Sequence, residues 1–136
     1  MMQPQGVGVF QLSLPSQSIL IVDDELDIVA IFRQALREQG YTVFGFTDPN
    51  LALEHFRLNS KEYGLVITDI RMPNMNGFEL AAKINMIKPN ARIVFMSAFD
   101  VSDLEFSLSS FKMTDFIRKP IDIRTLVQKV KMAMAN

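Results

Sequence analysis

An α/β fold is predicted: a doubly wound, five-stranded parallel sheet with helices on both faces, in three layers. Three observations predict it. From Ser18 onward, short apolar runs alternate with helical patterns five times, the beat of a parallel sheet with crossover helices. The runs "LVI" (65–67) and "IVFM" (93–96) are apolar without alternation, as strands buried on both faces are. The chain has 136 residues, 49% apolar and 21% charged, which suits one globular domain.

The first 17 residues carry no charge and are rich in Gln, Gly, Ser and Pro. They read as a flexible extension, with "FQLSL" a weaker candidate for an added edge strand. The folded domain is expected over 18–136. "ILIVD" (19–23) is the first strand. Residues 26–39 form the first helix, with Gly40 as its C-terminal cap. "TVFGF" (42–46) is the second strand. Residues 49–59 form the second helix, with Asp48 as N-cap and Pro49 in the first helical position. "LVITD" (65–69) is the third strand, and 77–87 the third helix, closing at "KPN". "RIVFMS" (92–97) is the fourth strand. Residues 100–110, serine-rich and poorly periodic, are the weakest helix. "MTDFIRK" (113–119) is the fifth strand. Residues 122–134 align Ile123, Leu126, Val127, Val130 and Met134 on one face behind an Asp122 N-cap, making the fifth helix.

Composition removes several function classes. With 14 basic and 15 acidic residues the net charge is -1, so there is no electrostatic case for nucleic acid or an anionic membrane. The absence of cysteine excludes disulfides, thiolate metal sites and thiol catalysis. A single histidine, His55, excludes a multi-histidine metal site and reads as a surface residue of the second helix. No apolar run approaches the roughly 20 residues of a membrane helix. No Lys or Arg precedes Arg33, so a secretory signal lacks its charged start, and a cytoplasmic setting is expected. The nine methionines read as core filler. Phe99, Phe106 and Phe111 read as core packing or, more sharply, as a partner-binding face.

Ligands of open parallel sheets bind beyond the carboxyl ends of the strands. Asp23 and Asp24 follow the first strand. Asp69 ends the third, followed by "IRMPNMNG". Ser97 and Ala98 end the fourth, and Lys119 and Pro120 the fifth. Taken singly, each has a plain structural reading. "Asp-Asp-Glu" is a common helix start, favoured by the helix dipole. Asp69 is a turn residue, Ser97 a loop hydroxyl and Lys119 a solvated charge. Together they put three carboxylates, a hydroxyl and an ammonium on one sheet edge. Carboxylate oxygens at that density suit a hard divalent cation such as magnesium, which would offset the mutual repulsion of Asp23 and Asp24.

This set resembles the receiver domain of two-component response regulators. The matching features are "VDDE", "DIRMPNMNG", "SA" and "KP", in order, each after the appropriate strand, and the resemblance covers residues 18 to 134. It implies a flavodoxin-like sheet of order 2-1-3-4-5. It implies that Asp69 accepts a phosphoryl group, and that Asp23, Asp24 and Asp69, with the backbone carbonyl of Arg71, hold Mg2+. Ser97 and Lys119 would contact the phosphoryl group, and Ala98 would be the small residue beside it. Phe116 would be the switch aromatic, here without the hydroxyl of a tyrosine. The Lys119–Pro120 bond is expected to be cis. The implied donor is a phosphohistidine on a sensor histidine kinase or a histidine phosphotransfer protein. The implied output is an unidentified downstream protein on the face of 100–110, the fifth strand and the fifth helix, with no direct nucleic-acid contact and no membrane insertion. The chain would catalyse only its own phosphorylation and dephosphorylation. Two other readings stand beside this one. One is a pseudo-receiver, an interaction module that works without phosphorylation. The other is an aspartate-nucleophile phosphatase, disfavoured because "TDIRMP" lacks the usual Asp-x-Asp pair.

Overall fold

The computed structural model describes residues 18–98 and 113–135. The N-terminal extension, the expected helix 100–110, and Phe99, Phe106 and Phe111 lie outside the described residues.

Five strands form one parallel sheet in the order β2-β1-β3-β4-β5, with β1 Ser18–Val22, β2 Thr42–Phe46, β3 Tyr63–Asp69, β4 Ile93–Ser97 and β5 Met113–Arg118. The described helices are α1 Leu26–Glu38, α2 Pro49–Leu58, α3 Gly77–Ile87 and α4 Ile123–Met134, with a short 3-10 turn at Ser60–Glu62. Strand β3 starts at Tyr63 rather than at Leu65. Tyr63 pairs with Ser18, with a shift of register before Ile19 pairs with Leu65.

Alternation along each strand divides the core into two. Leu20, Val22, Val66, Ile93 and Phe95 face α2 and α3, where Ala52, Phe56, Leu80 and Ile84 meet them. Ile19, Ile21, Leu65, Ile67, Val94 and Met96 face α1 and α4, against Phe32, Leu36, Leu126 and Val130. Full burial of each such side chain contributes about 1.5–3 kcal/mol. Because both faces carry this load, a one-residue slip in register would exchange the two cores.

The helix ends follow local chemistry. Asp48 accepts from the Asn50 amide at 2.8 Å with Pro49 next in line, and Asp122 accepts from the Thr125 amide at 2.8 Å. At the end of α1, Gly40 has φ +97°. Its amide donates to the Arg37 carbonyl, and that of Tyr41 to the Leu36 carbonyl, the paired bonds of a Schellman stop. Asn76 and Glu79 form a reciprocal capping box at the start of α3. On edge strand β2, the Arg37 guanidinium donates to the Val43 carbonyl at 3.0 Å.

His55 departs from the surface position expected of it. Its ring is half-buried beside Phe44 and Phe46, with centroids 4.6 and 5.3 Å away, and its Nδ1 lies 2.6 Å from the Tyr63 hydroxyl. Helix α2 packs against β2, which brings His55 to these aromatics. Among the described residues, no helix is long and apolar enough to cross a membrane.

Candidate functional site

Register explains why distant residues meet. Val22 of β1 is level with Thr68 of β3, so Asp23 and Asp69 occupy the next level. Asp69 is level with Met96, and Ser97 with Arg118, so Lys119 follows directly. The carboxyl ends of β1, β3, β4 and β5 thus deliver Asp23, Asp69, Ser97 and Lys119 to one edge. Asp23, Asp69 and Ser97 are buried, whereas Asp24 is exposed.

The Lys119 ammonium sits among carboxylates, 2.6 Å from Asp23 Oδ2, 3.3 Å from Asp69 Oδ2 and 3.3 Å from Glu25 Oε1. Its backbone amide donates to the Ser97 carbonyl at 2.8 Å, tying the end of β5 to the end of β4. The Lys119–Pro120 bond is cis, as expected. Phe116, level with Phe95, is half-buried against the α2–α3 side of the core.

The loop after β3 is built to hold Asp69 in place. The Ile70 amide donates to Met96 at 3.0 Å, and the Gly77 amide to the Ile70 carbonyl at 2.7 Å, so the loop closes on itself. Asn74 turns it with φ 73°, and Met75 is buried beneath. A Cβ on Gly77 would stand 2.2 Å from the Asp69 carbonyl oxygen, so only glycine fits against this strand end. Arg71 is exposed in the same loop, two residues past Asp69.

Electrostatics reflect the crowding. Burial and the charge of Asp23 push the Asp69 carboxyl up to about 6, more than Lys119 pulls it back. Burial also raises Asp23, against the pull of Lys119. For Lys119, burial works downward, but the contact with Asp23 and the charges of Asp69 and Asp23 outweigh it and hold the ammonium above its ordinary range.

Oxygens of Asp23, Asp24 and Asp69 lie within 4.8 Å of one another. Asp23 Oδ2 is buried and is held in an ion pair with the Lys119 ammonium at 2.6 Å. A hard, all-oxygen donor set of three crowded carboxylates fits a small divalent cation. The structure places Asp23, Asp24, Asp69, Ser97 and Lys119 at one sheet edge. It adds two residues that sequence reasoning missed. Glu25 reaches Lys119 across 94 positions, which no local pattern announces. Gly77 had a signal, since glycine is an unfavourable residue inside a helix and here stands at the first position of one.

A family model described as the response regulator receiver domain matches residues 19–131. The response regulator receiver protein CpdR of Brucella abortus is 33% identical over 118 residues, covering 86% of this chain and 97% of that protein. The DNA-binding transcriptional regulator NtrC of a Bradyrhizobium strain is 33% identical over 123 residues. That match covers 90% of this chain, which spans 25% of that relative's length. Among solved structures, the response regulator TrrA of Thermotoga maritima, crystallised with Mg2+ and BeF, is 34% identical. It superposes with a TM-score of 0.73 over 86% of this chain and 98% of that one. A receiver domain protein from Clostridium thermocellum, 24% identical, shares the fold with a TM-score of 0.79 over 87% of this chain and 94% of that one.

Proposed function

The chain belongs to the response regulator receiver family, a family of signalling modules rather than classical enzymes, and from that membership we propose that it is a phosphoacceptor switch acting through Asp69. The observation that carries the reading is the Lys119 ammonium poised between Asp23 and Asp69, at a strand edge that also holds buried Ser97. A carboxylate with a fixed cation beside it can act as a nucleophile toward phosphorus.

In the proposed step, a carboxylate oxygen of Asp69 attacks the phosphorus of a phosphohistidine. The new O–P bond forms as the N–P bond breaks, and the imidazole leaves with the electron pair and is protonated. Negative charge gathers on the equatorial phosphoryl oxygens. Lys119 meets that charge with its ammonium and Ser97 with its hydroxyl, both preorganised by the β4–β5 pairing. Asp23, Asp24 and Asp69, with the Arg71 carbonyl, are the groups that would hold Mg2+, whose chemistry is to neutralise phosphoryl charge. TrrA, crystallised with Mg2+ and BeF, supports that choice of ion by analogy.

The proposed donor is a sensor histidine kinase or a histidine phosphotransfer protein. The proposed output is a change of partner on the face of β5 and α4, with Ser97 and Phe116 as the coupled pair. The test is labelling of the chain by a phosphohistidine donor or by acetyl phosphate with magnesium, followed by intact mass. One phosphoryl group on wild type and none on Asp69→Asn is the expected result. Full labelling of Asp69→Asn would move the acceptor elsewhere, and no labelling of either would leave a phosphorylation-independent module.

A further inference from the structure

We propose that Glu25 is a positioning residue for Lys119. It holds one ammonium N–H at the mouth of the site until a phosphoryl oxygen takes its place. The inference rests on the phosphoacceptor reading of Asp69 and adds a residue to it.

Glu25 occupies the N-cap position of α1 with extended backbone, φ −91° and ψ 109°, yet its side chain caps nothing. The short side chains preferred there fold back onto the helix amides. This longer one reaches away, to 3.3 Å from Lys119 Nζ. Its backbone amide meanwhile donates to Asp23 Oδ1 at 2.9 Å. Glu25 is thus anchored by its main chain to one partner of Lys119 and joined by its carboxylate to Lys119 itself.

An ammonium has three donors, and Lys119 faces three carboxylates. They are not equivalent. Asp23 is fully buried and its Oδ2 meets the Lys119 ammonium at 2.6 Å, so removing Lys119 from it would strand a buried charge. Asp69 is the proposed acceptor and stays in the site. The Glu25 side chain is 63% exposed, so water replaces its contact at little cost. The Glu25 contact is therefore the one that can be exchanged for a phosphoryl oxygen. An anionic donor must then compete with the Glu25 carboxylate for the same N–H group.

Glu25→Gln keeps the length and the N-cap backbone but removes the charge. In magnesium buffer at low ionic strength, the half-saturating concentration of acetyl phosphate should fall about two- to fivefold, the range an exposed ion pair carries. The maximal rate should change less, and the difference should shrink in 0.5 M salt. Glu25→Asp, too short to reach Lys119, should behave like Glu25→Gln. The side-chain 15Nζ resonance of Lys119 should shift in both variants and stay put in Arg33→Gln. If wild type labels on Asp69 while both Glu25 variants keep its half-saturating concentration and Lys119 resonance, the exchange is overturned and the phosphoacceptor reading stands. If wild type does not label at all, that reading falls and the exchange falls with it.

Discussion

Gly77 lies so close behind Asp69 that even a methyl group would not fit. A Cβ there would stand 2.2 Å from the Asp69 carbonyl oxygen and 2.9 Å from the Ile70 Cα. Both obstacles are backbone and cannot rotate away, so Gly77→Ala must displace the end of β3 or the start of α3. Overpacking of this kind costs about 1–3 kcal/mol. We expect a lower melting temperature and, because Asp69 itself moves, slower labelling than the stability loss explains. A variant with wild-type labelling kinetics would show that Asp69 does not depend on this contact.

The Asp69 carboxyl, pushed up to about 6, gives a definite sign to stability against pH in metal-free buffer. Between about pH 4 and 6 the folded chain binds more protons here than the unfolded chain, so this group's contribution to stability falls as pH rises and its penalty is complete above about pH 6. Asp69→Asn removes it. Thermal unfolding in EDTA should show the variant more stable than wild type at pH 7.5, by on the order of 1–3 kcal/mol, and level with it near pH 4. The opposite order at pH 7.5 would mean that Lys119 more than offsets burial and the charge of Asp23.

Magnesium should stabilise the wild-type chain, because a cation offsets three crowded carboxylates. Asp24 is the exposed member and can be changed without opening the core. Asp24→Ala should weaken Mg2+ binding by about tenfold or more in isothermal titration, while the melting temperature in EDTA changes little. Equal affinity in variant and wild type would remove Asp24 from the ligand set.

Ser97 and Phe116 should respond together. A phosphoryl mimic should draw the Ser97 hydroxyl toward Asp69 and open space beside β4 for the half-buried Phe116 ring. One charge-assisted hydrogen bond, about 1.5–3 kcal/mol, shifts a two-state population tenfold or more. Beryllofluoride should therefore perturb the amides of Phe116, Ile117 and Arg118 as well as those beside Asp69. Ser97→Ala should quiet the former while leaving binding measurable. Unchanged distant shifts in Ser97→Ala would disconnect the pair.

Much of this arrangement is legible in the sequence alone. Uninterrupted apolar runs marked the buried strands, because strands covered on both faces need no polar alternation. Asp48, Pro49 and Asp122 announced helix starts through short-range chemistry, and they cap as expected. The site edge followed from what stood after each strand. What escaped depends on contacts distant in sequence. His55 looks like a surface residue along its helix, and only the fold brings Tyr63 and Phe44 to it. Tyr63 joins the third strand through its pairing with Ser18, 45 positions away. The reach of Glu25 to Lys119 is a matter of rotamer and register, neither of which is written in local periodicity.

The bond from Arg37 to the Val43 carbonyl bears on how this protein behaves in a crowd. Open sheet edges template foreign strands, and concentrated chains polymerise along them. At the β2 edge, a lone pair that an intruding strand would recruit is already held by a guanidinium rooted in α1. Docking there would first require evicting a charged group from its seat. This carbonyl at the sheet's margin is thus closed to an intruding strand, and Arg37→Ala should render the chain more prone to form thioflavin-positive aggregates on storage.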